Sequence, residues 1–327
     1  MKDKIILVCK LLFTAGIIFY LMYNGTLDFS KLDILLEHPE VFVAGLSFWL
    51  IGAVGISTYR WKLLLQGAGL DLDYRKALQL QTTGFFFNTV MPGAVGGDLV
   101  KAAYVIKENK DKSKSSVFMT IFLDRLIGMS GIFFIGVIFS LFKIQAILSN
   151  PSLKAIFFSM LLLISCIAVF FTLALIDYRK SDPFEKLFSM KIPGFSILLN
   201  IYMTIRNYRN HKSELIQAFC ASLLLQAGAL TNFYIVSKFT VVPALSLSTI
   251  ATIFPIGFFT VALPIAPGGL GVGHVAFEEL IKLSGSMGGA NAFNVVTLTQ
   301  MFFNLFGCIP YLQMNSVKSV EVASNDS

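Results

Sequence analysis

Long apolar stretches with few charged residues recur along the whole chain and constrain its fold more than any other feature. A helix needs about 20 predominantly apolar residues to cross a bilayer. Six stretches reach this length: residues 5–23, 41–59, 117–142, 155–176, 215–237 and 292–312. Their apolar residues show no period of two, which argues against a transmembrane β-barrel. The sequence therefore predicts an all-α polytopic membrane protein with about six full spans.

Composition and charge agree with this class. Of the 327 residues, 55% are hydrophobic and 14% are charged, whereas soluble domains carry about 25% charged residues. The net charge of +7 comes from basic residues that cluster in the loops between spans, a pattern typical of the positive-inside rule. We therefore expect membrane lipids as partners and no nucleic acid. A homo-oligomer is compatible with the sequence.

The loop charges also predict an orientation in the cell membrane. The acidic loop after the first stretch is expected outside and the later basic loops inside, so both termini are cytoplasmic. Lys10 interrupts the first apolar stretch and no small-residue cleavage site follows, so this stretch is expected to be a retained span. The four cysteines lie singly in apolar segments, which predicts no disulfide, metal site or cofactor.

Two further apolar segments are broken by proline and glycine. Segment 77–106 has lysines on both flanks and is too short for two spans, so we expect a re-entrant helical hairpin with its tip at Pro92, Gly93, Gly96 and Gly97. Segment 247–283 carries a similar break at Pro267, Gly268, Gly269 and Gly271 and is expected to enter from the opposite face.

The order span, span, hairpin, span occurs twice along the chain. We therefore expect one integral membrane domain, 1–327, built as inverted repeats from halves 1–145 and 150–315, with a cytoplasmic amphipathic segment at 178–213. Paired Gly/Pro breaks in two inverted halves indicate a transporter-type site near the midplane of the membrane. The alternative is that both hairpins are packing elements of a structural membrane protein.

Ionisable residues within the apolar segments are the candidate site residues, because such residues are costly in a membrane. Asp98 and Lys101 share a helix face and either neutralise each other or border a phosphate site formed by exposed backbone N–H groups. Asp124 and Arg125 form either a clamp on the first hairpin or a headgroup contact. Arg60 is either an interfacial anchor together with Trp61 or an entry point for an anionic headgroup.

The second hairpin contributes His274 and Glu278, which are four residues apart. This pair favours a proton-responsive site over a metal site, since a metal needs three or four ligands and the other two histidines belong to loops. Asp98, His274 and Glu278 are the candidates for proton coupling or for contact with the headgroup.

The broken segments, together with the sequences STYRWKLLL and FLDRLIG, resemble the lysylphosphatidylglycerol synthase transmembrane-region family, also called the flippase-like or UPF0104 family. The first family motif is matched by Asn88, Pro92, Gly93, Gly96, Gly97, Asp98 and Lys101, with Lys101 where arginine is usual. The second is matched by residues 267–272. Gly273 and His274 stand where a charged pair usually falls, and Glu278 follows one turn later.

The resemblance implies a lipid translocase that moves a phospholipid or a polyprenyl-phosphate-linked lipid between leaflets. The expected substrate-binding residues lie in both breaks and on two spans: Asn88, Pro92, Gly93, Gly96, Gly97, Asp98, Lys101, Arg60, Arg125, Pro267, Gly268, Gly269 and Gly271. The alternative is an intramembrane enzyme or accessory subunit that acts on a lipid-linked substrate. ATP-binding and hydrolase motifs are missing from the sequence, which favours a transporter over an enzyme.

Overall fold

The structure is a computed structural model and describes residues 19, 23, 33–90, 96–109, 111, 114–177, 182–190, 194–262 and 271–314. Within these ranges the chain is helical and contains no β-strand, which confirms the predicted all-α class. The predicted first span, 5–23, lies almost entirely outside the described residues.

Five described helices are long and apolar enough to cross a membrane. They are α2 (Pro39–Gly67), α5 (Lys114–Leu141), α7 (Pro151–Leu175), α10 (Lys212–Thr240) and α13 (Gly289–Met314). Each contains or closely overlaps one of the predicted spans, so the protein is a multi-pass membrane protein. The backbone of α2 widens into a π-helix over Phe48–Ile56. The short helix α1 (Ile34–Glu37) precedes α2, and α6 (Ile144–Ser149) connects α5 to α7.

Proline and capping residues set where several helices begin. Pro39 and Pro151 occupy first helical positions, where the missing N–H costs no helical hydrogen bond. The Asn150 side chain accepts from the N–H groups of Ser152 and Leu153 and so caps α7. Asp182 caps α8 (Pro183–Phe188) in the same way.

Two pairs of shorter helices lie at the predicted breaks. The first pair is α3 (Tyr74–Val90) and α4 (Gly96–Glu108), and the second is α11 (Leu247–Ala262) and α12 (Val272–Lys282). At 1.5 Å per residue these helices are about 25, 20, 24 and 17 Å long, shorter than the roughly 30 Å hydrocarbon core of a bilayer. The two helices of each pair pack against each other.

The two ends of each pair meet. The Asn109 Nδ2 donates to the Asp71 carbonyl at 3.3 Å, which joins the end of α4 to the start of α3. In the second pair Val242 and Met287 form an antiparallel bridge, and the Ser286 hydroxyl donates to the Pro243 carbonyl at 2.7 Å. In each pair, the start of the first helix and the end of the second therefore lie at the same end of the bundle.

The pairs begin at opposite ends of the bundle. Helices α2 and α10 pack closely and run antiparallel. Tyr59 of α2 bonds to Gln217 of α10. Eleven residues earlier on α2, Phe48 packs against Gly228, which is eleven residues later on α10. The first pair starts just after α2 and the second just after α10. The two pairs therefore start from opposite ends of the helical bundle.

Each pair also packs on a span that is distant from it in the sequence. Helix α3 contacts α13, where a Cβ on Gly307 would lie 2.1 Å from the Thr82 carbonyl oxygen. Helix α11 contacts α5, where a Cβ on Gly136 would lie 2.8 Å from the Pro255 Cβ. Both contacts depend on glycine, and they interlock residues 33–141 with residues 151–314.

Within the predicted amphipathic segment 178–213, the described residues 182–190 and 194–213 form short helices and the start of α10. Helices α8 and α9 (Phe195–Asn207) pack against the ends of α7 and α10 through a buried apolar cluster that includes Tyr202, Ile205 and Tyr208. The Tyr208 hydroxyl donates to the Leu64 carbonyl of α2. Ile197 and Leu198 remain exposed on α9.

Candidate functional site

The start of α4 is held against α3 by a backbone contact. A Cβ on Gly97 would lie 1.9 Å from the Gly84 carbonyl oxygen, so only glycine fits at position 97. The Asn88 side-chain oxygen accepts from the Gly97 N–H at 2.8 Å and caps α4. Asn88, Gly96 and Gly97 therefore position the first turn of α4, in which Asp98 lies.

Asp98 lies between two cations. Its carboxylate is 3.3 Å from the Lys101 Nζ and accepts from the Arg125 Nε of α5 at 2.6 Å. Asp98 and Lys101 are buried, whereas the Arg125 side chain is 45% exposed. Of the two interpretations of Arg125, the clamp on the first hairpin matches this contact, yet nearly half of the side chain is still accessible from outside the protein.

Lys101 has two further neighbours. Its Nζ donates to the Gln81 side-chain oxygen at 3.1 Å and lies 4.6 Å from the centre of the Trp61 ring. Trp61 is fully buried, so its interpretation as an interfacial anchor is wrong. The face of an indole ring carries negative potential, and Trp61 therefore stabilises the buried ammonium group.

Arg60 is also buried. Its guanidinium donates to both carboxylate oxygens of Asp124, at 2.7 and 3.0 Å, and to the Ser222 hydroxyl at 2.9 Å. The pair joins α2 to α5 and α10. Helix α2 continues to Gly67, so Arg60 lies about 10 Å before its end. Asp124 and Arg125, adjacent in sequence, thus pair with different helices.

These two groups lie side by side, since Asp124 and Arg125 are adjacent on α5. The Gln81 Nε2 donates to the Ser57 hydroxyl at 3.0 Å, which connects Lys101 on α4, through α3, to the helix that carries Arg60. The two groups contain three cations, Arg60, Lys101 and Arg125, and two carboxylates, Asp98 and Asp124, so their net charge is +1. Below, "the charge network" means these five residues.

The second pair carries weaker polar contacts. The His274 ring bonds to the Gly271 N–H and to the Asn294 side-chain oxygen, both at 3.4 Å, and packs edge-on against Phe293. Glu278 accepts from the Ala290 N–H at 3.0 Å and lies 3.7 Å from the Lys282 Nζ. The described contacts of His274 and Glu278 are thus to α12, its flanking Gly271, and α13, whereas those of Asp98 are to α4 and α5.

Other predicted site residues cannot be placed in this way. Pro92, Gly93, Pro267, Gly268 and Gly269 lie outside the described residues. Within the described part of the chain, no group of three or more His, Cys, Asp or Glu side chains is arranged to hold a metal ion.

A third polar cluster joins α2, α3 and α13. The Asn304 side chain accepts from the Trp49 Nε1 at 3.0 Å and from the Gln300 Nε2 at 3.1 Å, and donates to the Thr89 hydroxyl at 3.2 Å. The amides in the apolar stretches indicate such interhelical bonds. Their partners Thr89 and Trp49 have no signal in the sequence, and neither do Ser57 and Ser222, which lie beside the charge network.

The fold and the charge network define a polytopic α-helical membrane protein with ionic groups buried between its spanning helices and two short helical pairs that start from opposite ends. The chain belongs to the family described as the lysylphosphatidylglycerol synthase TM region, whose model matches residues 7–309.

Relatives of this chain carry only a general description. A UPF0104 membrane protein of Pyrococcus horikoshii is 32% identical over 124 residues, which is 37% of this chain and 33% of that protein. One of Methanocaldococcus jannaschii is 24% identical over 126 residues, 38% of this chain and 36% of that protein. The matched segments span about a third of either relative. No solved structure matches the chain.

Proposed function

We propose that the protein is a lipid translocase that moves an anionic lipid, either a phospholipid or a polyprenyl-phosphate-linked lipid, between the leaflets of the cell membrane. The observation that carries this proposal is the charge network: five ionised side chains, with a net charge of +1, between helices whose outer surfaces are apolar. Ionisable groups in that environment are costly and usually serve a substrate or ion pathway.

The network has the charge and the access that a headgroup needs. A phosphodiester carries one negative charge, so its arrival next to Arg125 would bring the network to zero. Arginine forms strong, charge-assisted hydrogen bonds with phosphate oxygens. Arg125 is the half-exposed member of the network, and Asp98 is the internal anion that holds Arg125 and Lys101 in position. We infer that the phosphate first contacts Arg125.

The short helical pairs supply the path in this proposal. Each would dip into the membrane as a re-entrant hairpin, one from each face, as two inverted halves. The meeting ends of each pair and the antiparallel α2 and α10 support this arrangement. His274 and Glu278 of the second pair would couple a proton or contact the headgroup, and both termini would be cytoplasmic.

Lipid exchange in vesicles tests the proposal. Purified protein should accelerate the transfer of tail-labelled phosphatidylglycerol or a labelled polyprenyl phosphate to the other leaflet, measured by quenching of the accessible label. We expect Asp98→Ala to abolish the acceleration and Arg125→Met to reduce it at least tenfold, because the first loses the internal anion and the second a phosphate partner.

An exposed ion pair provides the matched control. Arg209 and Asp177 are 2.8 Å apart with the Asp177 side chain 79% exposed, so Arg209→Met and Asp177→Ala remove the same groups outside the charge network. Both should exchange lipid at the wild-type rate. If wild-type protein gives the same rate as protein-free vesicles with both lipid classes, the proposal is wrong.

A further inference from the structure

A cavity with polar and apolar lining lies away from the charge network. Its volume is about 440 Å³, within the usual range of ligand sites, and it lies between helix α6 and the second helical pair. Aliphatic side chains such as Ile253 and Leu280 form its inner wall. Its polar lining consists of Lys143, Ser149, Asn150, Thr249, Thr252 and Ser284.

The cavity lies at the C-terminal end of α5, whereas Arg125 of the charge network lies near the middle of that helix. Arg125 is 16 residues before Leu141, the last residue of α5, which corresponds to about 24 Å along the helix axis. Lys143 follows directly after that end. The cavity also borders the start of α11, at the end of the bundle where α10 terminates. The cavity therefore lies about 24 Å along α5 from Arg125, at the end of the bundle where α11 begins.

The charge of the cavity suits a single anion. Among the described residues that line it, Lys143 is the one charged residue and none is acidic. The Lys143 Nζ donates to the Thr249 hydroxyl at 2.7 Å, and that hydroxyl is 2.9 Å from the Ser246 hydroxyl. An ammonium group has three N–H donors, so a bond to one hydroxyl leaves capacity for an anionic oxygen.

We propose that this cavity binds the phosphate and glycerol region of a monoanionic phospholipid, in the leaflet at the end of the bundle where α10 terminates. The aliphatic wall would contact the first part of the acyl chains while Lys143 and the hydroxyl groups contact the phosphate. This inference rests on the proposed function, in which it supplies the second end of the lipid path. The lining is amphipathic, which suits a phospholipid better than a free anion, because a free anion makes no apolar contact with the aliphatic wall.

Photo-crosslinking of the full chain in detergent tests the site directly. The probe is phosphatidylglycerol with a photoactivatable group near the start of one acyl chain, and crosslinked peptides are identified by mass spectrometry. We expect crosslinks in α6 and α11, reduced by excess unlabelled phosphatidylglycerol. Lys143→Met should raise the half-maximal probe concentration about tenfold, because one charge-assisted hydrogen bond is lost. Lys154→Met, an exposed lysine outside the lining, should not change it.

A cavity-filling variant keeps the test independent of Lys143. Ser149 is exposed at the cavity rim, so Ser149→Trp should also suppress the crosslinks, whereas Ser152→Trp, three residues away and outside the lining, should not. The inference is wrong if neither Lys143→Met nor Ser149→Trp changes the half-maximal concentration. It is also wrong if inorganic phosphate competes as well as phosphatidylglycerol, since the cavity would then be a site for free anions.

This result is separate from the test of lipid transfer. Crosslinking requires binding but no movement between leaflets. Crosslinks in α6 and α11 from a protein that transfers no lipid would retain the cavity and reject the translocase. Lipid transfer without these crosslinks would retain the translocase and reject the cavity.

Discussion

At the scale of single residues, Asp124 and Arg125 are adjacent in sequence but pair with residues on different helices. Consecutive residues of a helix point about 100° apart, and here Asp124 bonds to Arg60 on α2 while Arg125 bonds to Asp98 on α4. The apolar residues around them were enough to predict that these charged residues have a structural or functional role. Their partner residues depend on which helices are neighbours. The sequence named both residues of the Asp98–Lys101 pair, three apart on one helix, but for Arg125 it offered only a clamp on the first hairpin as one of two alternatives.

Removal of Asp124 should destabilise the protein strongly. Asp124→Ala leaves the guanidinium of Arg60 buried without its carboxylate, and breaking a buried pair in this way costs about 3–5 kcal/mol. The free energy of unfolding in mixed micelles with increasing denaturing detergent measures the effect. The double variant Arg60→Leu, Asp124→Leu should recover most of the loss, because it leaves no unpaired charge.

The exposed pair of Asp177 and Arg209 is again the control. Asp177→Ala should cost about 0–1 kcal/mol, since water solvates the remaining arginine. Equal losses for Asp124→Ala and Asp177→Ala would mean that the Arg60–Asp124 pair is not shielded from water in the folded protein.

At the scale of elements, helix positions followed from the sequence more closely than helix ends. The five described spans coincide with predicted stretches, and the Gly/Pro breaks locate both short pairs. Helix α2, however, continues eight residues past the predicted end at Tyr59. Hydropathy falls at Arg60 and Lys62, but the helix continues because Asp124 neutralises Arg60 and Trp61 is buried.

The backbone contact between α3 and α4 should make Gly97 intolerant of any side chain. Gly97→Ala places a methyl group 1.9 Å from the Gly84 carbonyl, so the helices must separate and strain the Asn88–Gly97 hydrogen bond. We expect a loss of roughly 1–3 kcal/mol in the free energy of unfolding, or more if the pair rearranges. Lipid transfer should also fall, because Asp98 moves with the first turn of α4.

Gly228→Ala is the matched control for this substitution. Its new methyl group would meet the Phe48 ring at 3.4 Å, an ordinary van der Waals contact, within the long helix α10. Its stability should be unchanged or higher, since alanine favours a helix by about 1 kcal/mol over glycine. A Gly97→Ala protein as stable as the Gly228→Ala protein would contradict the close contact of α3 and α4.

At the scale of the whole molecule, the class was predictable because a bilayer limits a helical chain to a few solutions. The site was only partly predictable. Asn88, Gly97, Asp98 and Lys101 lie together because they are close in sequence, whereas Gln81, Ser57 and Ser222 join them through the packing of α2, α3 and α10. No periodicity in the chain specifies which small polar residue faces which helix.

Accessibility to an impermeant thiol reagent tests the arrangement of the first pair. In a background without cysteine, Asp71→Cys and Lys107→Cys, at the two ends of the α3–α4 pair, should be labelled from the same side of sealed vesicles, and Asp177→Cys from that side too. Ser149→Cys should be labelled from the other side, because α7 separates it from Asp177. Labelling of positions 71 and 107 from opposite sides would show that this pair crosses the membrane.

The bridge between Val242 and Met287 bears on how the chain could gain or lose an element during evolution. Each residue donates its N–H to the carbonyl of the other, at 3.0 and 2.9 Å, so their Cα atoms are about 5.5 Å apart, a distance that two peptide units span. The segment between them, residues 243–286, therefore starts and ends beside this bridge. Residues 243–286 could thus be inserted or excised, with a one-residue linker, without reversing the direction in which α13 crosses the membrane. A bundle with one helical pair could therefore gain the second pair while its other spans kept their orientation.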